Sequence, residues 1–392
     1  MTGHPFRDVA IVAAHNTRQA RVLDGHTAFS ITLAAARGVL AEATVPAAEV
    51  DAVFGKQAAE LIYALGIGPV WNANTAGGIA GVLQAAALVA TGLARTVLLA
   101  DGGAGLYTER AATAPWTRPS NEFVAPFGLY TAAEFALIAR RHMELYGTTP
   151  EQLAEVAATI RNNGHVNPEA VYHGRGPYTP ADILASRMIA EPFRLLDCAT
   201  TSEGGCALLI TTAERAADLP CTPVYILGGG LDSFGPAYRH APSWDLTGGR
   251  DGARGDIPNG YVGRRAARQA FTTAGIGREQ VDVLELYDPF SFEVIRQFEA
   301  LEFCGEGEGG DFVMDGRIGP DGPFPITTDG GLMSYSHGGG IVQLTQRVAR
   351  GVHQLQKRCR SRQVPDAKVA LCTNGGAGAL FTDVILLGSE RP

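Results

Sequence analysis

Cysteine is absent from the first 197 residues, and the six that follow, at positions 198, 206, 221, 304, 359 and 372, form no C-x-x-C pair and no metal-ligand spacing. That excludes a zinc ribbon or a disulfide framework and predicts reduced thiols. Positive charge is also in short supply. With 32 Lys and Arg against 40 Asp and Glu, the net charge is -8, which disfavours nucleic acid as a partner while leaving room for a local basic patch on a phosphorylated small molecule. The start, M-T-G-H-P-F-R-D, lacks the charged-then-apolar layout of a secretory signal, so a cytoplasmic protein is expected. From Leu61 to Ala94 no charged residue occurs at all. A membrane span does not follow, because Gly66, Gly68, Pro69, Asn72 and Asn74 break the run. Its helical remainder, Ile79 to Leu93, is too short and too rich in Ala and Gly to cross a bilayer, and a helix buried on all sides within a core is expected instead.

What is present is the composition of an α/β protein: 392 residues, 46% hydrophobic, 18% charged, 49 glycines. Such a chain can fill two domains or one double-cored unit. Val9 to Ala14 reads as a buried strand, Thr27 to Ala41 as an amphipathic helix, and V-D-A-V-F from Val50 as the next strand. These elements recur. Ala35-Ala36-Arg37 is echoed by Ala266-Ala267-Arg268, Val45 by Ile276, Val50-Asp51 by Val281-Asp282 and Val53 by Leu284, each pair 231 positions apart (266 − 35 = 231). A second echo, T-V-L-L-A-D-G-G-A-G at Thr96 to Gly105 and V-A-L-C-T-N-G-G-A-G at Val369 to Gly378, runs an apolar strand into the same glycine turn. Two similar α/β halves built on parallel strands are the simplest reading. Between them, Pro119 to Ala190 is richer in Tyr, Arg, His and Asn and reads as an insertion. It carries a helix from Thr131 to Tyr146 and a second from Pro150 to Arg161, which Thr149 caps. Leu195 onward reads as a turn and a strand, Pro220 to Gly228 opens the second half, and Arg239 to Gly260 is a loop.

One stretch concentrates chemistry. Gly330 to Gly340, G-G-L-M-S-Y-S-H-G-G-G, sets Tyr335 and His337 between glycine clusters. Glycines permit φ > 0 and close approach of a ligand to the backbone, while a phenol and an imidazole supply acid, base and hydrogen-bond donor. Taken alone, the stretch reads by default as a glycine-rich surface turn with two incidental polar side chains.

Several motifs in order settle the wider reading: N-A-N-T-A-G-G (Asn72 to Gly78), Y-G-T-T-P-E-Q-L-A (Tyr146 to Ala154), S-R-M-I-A-E-P-F-R-L-L-D-C (Ser186 to Cys198), Y-D-P-F (Tyr287 to Phe290), the Gly330 loop, and C-T-N-G-G-A-G (Cys372 to Gly378). Together they resemble the thiolases, in particular the sterol-carrier-protein-x and lipid-transfer-protein branch, over essentially the whole chain. The resemblance implies a thiolase-like five-layered α-β-α-β-α fold. Residues 1–118 with 191–219 would form the N-terminal half, 119–190 an inserted loop domain, and 220–392 the C-terminal half. It also implies a homodimer and acyl-coenzyme A substrates, with no cofactor beyond the coenzyme A of the substrate and no metal.

Two departures from that pattern change the chemistry. Thr75 stands where a thiolase carries its nucleophilic cysteine, and a hydroxyl without an adjacent base is a poor substitute for a thiolate. A phenol, Tyr287, stands where the family has the Asn or His of its oxyanion site, and Tyr335 precedes His337, the family histidine that bonds the thioester oxygen. Paired tyrosines in these motifs resemble the thiolase-like steroid side-chain retro-aldolases. Splitting a 3-hydroxyacyl-CoA by retro-aldol reaction needs no nucleophile, only a base at the hydroxyl and an acid at the enolate carbon. Tyr287 and Tyr335 are therefore the expected acid and base, in either order, with His337 as donor to the thioester oxygen. Thr75, Asn374 and Cys372 are candidate oxyanion or pocket residues, Cys372 matching the second thiolase cysteine. Glu285 and Asp288, which flank Tyr287, either orient it or face solvent. The alternatives are a thiolase or acetyl-CoA acyltransferase working through Cys372, and a non-catalytic acyl-CoA-binding subunit. The aldolase relatives work with a separate OB-fold and zinc-ribbon protein, so a partner chain of that kind is implied.

Overall fold

The computed structural model describes residues 3–74, 77–105, 131–233, 262–338, 342–376 and 381–392. Val9–Asn16 (β1) shows why its strands lie inside. Each residue from Val9 to Ala14 is fully buried, with Val9 and Ile11 in one apolar cluster and Ala10 and Val12 in another. A strand apolar on both faces needs cover on both. The cover comes from Ala28–Ala43 (α1) on one side and from Gly78–Ala90 (α3) and Val342–Leu355 (α8) on the other.

The main strands are Ala52–Phe54 (β2), Trp71–Ala73 (β3), Thr96–Gly103 (β4), Gly204–Thr212 (β8), Val224–Ser233 (β9), Val283–Glu285 (β10), Val369–Gly376 (β12) and Phe381–Gly388 (β13). Three short pieces, Met188–Ala190 (β5), Phe193–Arg194 (β6) and Thr201–Ser202 (β7), precede β8, and His337–Gly338 (β11) pairs with β7. Among the described residues the large sheet runs β3-β2-β4-β8-β1, then β9-β13-β12-β10. The second half repeats the first in mirror order about the β1/β9 seam. In each half the penultimate strand before the seam, β8 or β13, is antiparallel to both neighbours, and β2/β4 and β10/β12 are parallel pairs. Even β3 has a counterpart, a parallel bridge from Leu284 to Ile326.

Two residue pairs, Ala10 with Tyr225 and Ile11 with Val224, join the half-sheets. The helices α3 and α8 pack on each other and touch both half-sheets, α1 covers the first half, and Arg264–Ala274 (α6) covers β9 and β13 of the second. That is the five-layered arrangement expected from the sequence, with the duplicated helices α1 and α6 as its outer layers. The buried-on-all-sides reading of α3 is corrected. The helix stops at Ala90, and Gln84, Ala87 and Ala90 are exposed, because only the face that carries Ile79, Val82, Ala85, Ala86 and Val89 lies between the half-sheets.

Thr27 and Thr149 cap α1 and Pro150–Val166 (α5) through reciprocal bonds with Ser30 and Gln152. The helix expected to end at Arg161 continues to Val166. It does so because Arg161, Asn163 and Asn167 direct their polar groups inward onto another segment rather than to water. The loop expected at 239–260 lies outside the described residues. No helix among the described residues is long and apolar enough to cross a membrane.

Candidate active site

The loop that opens at Gly330 is interior, not a surface turn. Gly330 and Gly331 both take positive φ (103° and 56°), and Gly331–Tyr335 forms one π-helical turn in which the Tyr335 N–H donates to Gly330 O (3.2 Å) and Ser336 N–H to Gly331 O (3.0 Å). A side chain at Gly331 would collide with the Asp288 carboxylate, 2.2 Å from its Cβ position. That carboxylate accepts from Leu332 N–H (2.8 Å) and Met333 N–H (3.1 Å), so the residue after Tyr287 fastens the turn that carries Tyr335.

A buried charge network extends this anchor. Arg347 grips Asp329 with two bonds (2.9 and 2.6 Å), and Asp329 accepts from Gly331 N–H (2.8 Å). Burial works against ionisation of Asp329, yet Arg347 holds its carboxyl below the usual range. Glu285, fully enclosed and facing Asp329, is pushed up to about 7 and takes Thr328 through its hydroxyl and N–H. Burial likewise pushes Asp288 up to about 7. Neither carboxyl faces solvent, and both hold the loop in place.

The inserted segment closes the other side. Buried Arg161, on α5, donates to the carbonyls of Met333 (2.5 Å), Cys198 (2.7 Å) and Leu196 (3.1 Å). Asn163 bonds the carbonyls of Ile326 and Thr327, and Asn167 that of Asp329. The N–H groups of Val171 and Tyr172 donate to the carbonyls of Tyr335 and Ser334. Sequence reasoning passed over these residues. Their only signal was the polar run R-N-N-G-H ending an otherwise apolar helix.

Tyr335 is 2% exposed, and burial, reinforced by the charges of Asp329 and Glu169, raises its phenol well above the ordinary tyrosine value. It holds its proton at neutral pH. Half-buried His337 is fixed by its backbone: its N–H donates to Ser202 Oγ (2.8 Å), which lies 3.0 Å from Ser336 Oγ, itself a donor to Gln19 Oε1 (2.8 Å).

Tyr287 follows β10. Its N–H donates to Thr373 Oγ1 (2.8 Å), its carbonyl accepts from Gln297 (2.6 Å), and its ring packs with Leu332 of the π turn and with Ala199. The hydroxyl comes within 3.7 Å of the point where a Cβ on Gly376 would stand. The structure thus ties the two tyrosine segments together through Asp288 and Leu332. Asn374 is committed elsewhere. Its Oδ1 caps α3 by accepting from Ile79 N–H (2.7 Å), and its Nδ2 donates to the carbonyls of Leu344 and Thr373 (both 2.9 Å). Cys372 is fully buried among aliphatic side chains with its sulfur against Gly351, and burial raises the thiol well above its usual value. Thr75 lies outside the described residues. No group of three or more His, Cys, Asp or Glu among the described residues has the arrangement of a metal site.

Comparison with known proteins agrees with this geometry. Residues 256–389 match the family model described as thiolase C-terminal domain-like. The chain is 33% identical over 328 residues to a steroid side-chain-cleaving aldolase of Thermomonospora curvata, covering 79% of this chain and 77% of that protein. It is 36% identical over 291 residues to the 17-hydroxy-3-oxo-4-pregnene-20-carboxyl-CoA lyase of Mycobacterium tuberculosis, covering 70% of each. Among solved structures, the Ltp2-ChsH2(DUF35) aldolase superposes with a TM-score of 0.83 at 29% identity, covering 98% of both chains. The chain belongs to the thiolase superfamily, in the branch that contains the steroid side-chain-cleaving aldolases.

Proposed function

We propose that this protein is a carbon-carbon lyase of thiolase fold, an acyl-CoA retro-aldolase that splits the Cα-Cβ bond of a 3-hydroxyacyl-CoA, a steroid side-chain thioester, into a ketone and a short acyl-CoA. The observation that carries it is the state of the two reactive types. The sulfur at 372 is enclosed with a raised pKa, unfit for thiolate attack, while a phenol held protonated stands in the anchored loop beside His337. The aldolase of Thermomonospora curvata and the lyase of Mycobacterium tuberculosis carry names of the same reaction class.

In this reading Tyr335 is the acid. A thioester enolate carbon is far more basic than a phenolate, so even a phenol with a raised pKa protonates it downhill. Tyr287 takes the hydroxyl proton, and His337 donates to the thioester oxygen as negative charge gathers there, worth about 3 kcal/mol of barrier. No cofactor is needed beyond the coenzyme A of the substrate. The protein works in the cytoplasm as a homodimer with a separate DUF35-type OB-fold and zinc-ribbon partner. The exposed Trp71 and Asn72 on β3, whose outer edge pairs with nothing among the described residues, support the first association, and the two-protein name of the superposed aldolase supports the second.

The test is incubation with a CoA thioester bearing a tertiary steroid alcohol at C3 of the acyl chain, with and without such a partner. Ketone and short acyl-CoA are expected in equal amounts. A covalent acyl adduct on the intact protein, with no ketone, would reverse the assignment toward a thiolase.

A further inference from the structure

Asp383 lies on β13, directly opposite Asn374 of β12. Side chains that face each other across an antiparallel pair lie on the same face of the sheet, and the Asn374 face is known because its Oδ1 caps α3. The next strand confirms the assignment. Gly229, opposite Ile385, would put a Cβ against Leu83 of α3, whereas Gly230, opposite Val384, would put one against α6. Asp383 therefore faces the inner layer, toward the N-terminal end of α3. The register of β10 with β12 ends at Glu285 beside Cys372, and Tyr287, two residues on, donates its N–H to Thr373 Oγ1 and lays its ring edge against Gly375 at the rim of β12. Its hydroxyl comes within 3.7 Å of where a Cβ on Gly376 would stand, on the face of Asn374 and Asp383 and next to the Phe381 ring that fills that position. One strand spacing, about 4.8 Å, separates β12 from the strand that carries Asp383.

Resting on the aldolase reading, we propose that Asp383 is the proton acceptor behind Tyr287, a positioning residue that acts through the phenol and a bridging water to make it a base. As the substrate hydroxyl gives its proton to the Tyr287 oxygen, the Tyr287 proton moves to the Asp383 carboxylate. The Cα-Cβ electron pair passes into the thioester enolate, and the enolate carbon takes the Tyr335 proton. Asp383 then releases its proton to solvent and Tyr335 regains one, so each turnover exchanges one proton in and one out. The carboxyl makes no hydrogen bond or ion pair with any described residue. Asp232 on β9 is the charged group near it, Asn374 and the first residues of α3 being uncharged, and burial together with Asp232 pushes Asp383 up to about 7. Such a group is ionised above neutrality and ready to accept.

The wild type is expected to lose kcat/KM as pH falls through about 7, and Asp383→Asn to abolish that loss while lowering kcat about 100-fold with KM within about threefold. Asp383→Glu should recover most of the rate with the acid limb moved rather than lost. Wild-type kcat and an unchanged pH profile in Asp383→Asn overturn the proposal. So does equal loss in both variants with the acid limb intact, the mark of a packing role. If the wild type cleaves no 3-hydroxyacyl-CoA, the aldolase reading fails by itself and the pairing is read from tyrosinate absorbance. The component lost in Tyr287→Phe must titrate at lower pH in Asp383→Asn than in the wild type, because a neighbouring carboxylate opposes phenolate, and its failure to move overturns the pairing.

Discussion

At the scale of single residues, burial decides which groups can do proton chemistry. Tyr335 and Cys372 are both enclosed, and enclosure raises the phenol and the thiol alike, so each keeps its proton at neutral pH, which suits Tyr335 to the acid role proposed for it and unfits Cys372 for attack as a thiolate. Tyr335→Phe keeps the ring and removes only the hydroxyl, so the fold should survive, with kcat down about 100-fold or more. Steady-state ketone release with the variant, alongside its circular dichroism, checks this. Asp101 offers a contrast without catalysis. It is 4% exposed, its Oδ1 accepts from Lys56 N–H, and burial pushes it up to about 7 from 3.8. A carboxyl whose pKa rises on folding favours the native state at low pH and loses that contribution as pH climbs through the folded value. Asp101→Asn should therefore change stability little at pH 4 and raise it at pH 8, by an amount on the order of 4 kcal/mol at about 1.4 kcal/mol per unit. Urea unfolding at the two pH values measures the difference, and a variant whose pH dependence matches the wild type would sink the expectation.

At the scale of elements, the site is a π turn held from both sides, and its two supports differ in how openly the sequence declared them. The motifs around Tyr287, Tyr335 and His337 were legible because glycines and aromatics in that order are unusual, and the cap at Thr149 was legible because capping is local. The grip of α5 on the turn was not. Arg161 bonds carbonyls more than thirty and more than one hundred and seventy residues further along the chain, and backbone carbonyls carry no sequence signature. Likewise nothing local in the sequence says that the Asn374 amide caps a helix 295 positions earlier. Two substitutions test the support. Gly164→Ala would bring a Cβ to 2.3 Å from Ser334 Cβ, forcing α5 off the turn at a cost of about 1–3 kcal/mol, and activity should fall further than stability. Arg161→Met strands the buried Met333 carbonyl and the half-buried carbonyls of Leu196 and Cys198 and should cost about 3 kcal/mol. Unfolding midpoints paired with kcat separate the two effects.

At the scale of the whole molecule, the duplication seen in sequence has a physical counterpart in what the repeated residues do. Asp51 accepts from the N–H groups of Arg95 and Thr96 (2.8 and 2.9 Å), and Asp282 from those of Lys368 and Val369 (2.7 and 2.9 Å). In each half the backbone N–H of the same aspartate completes the clasp, Asp51 to Thr96 O and Asp282 to Val369 O. One carboxylate thus pins the start of β4 and its twin the start of β12, near opposite ends of the sheet. The alanine variants should each cost about 2 kcal/mol, as bonds to a charged acceptor do, and over this separation the costs should add. What the pair tests is larger than the clasps. If the halves were independent domains joined at two residue pairs, Asp51→Ala would shift one of two unfolding transitions and leave the other in place. Because α3 and α8 bury their apolar faces against both half-sheets at once, neither half can open without exposing the layer that covers the other. Either variant should therefore move a single transition by the same amount as its twin, and the double variant by the sum. Two resolved transitions, each answering to one aspartate, would mean that the central helices belong to one half only.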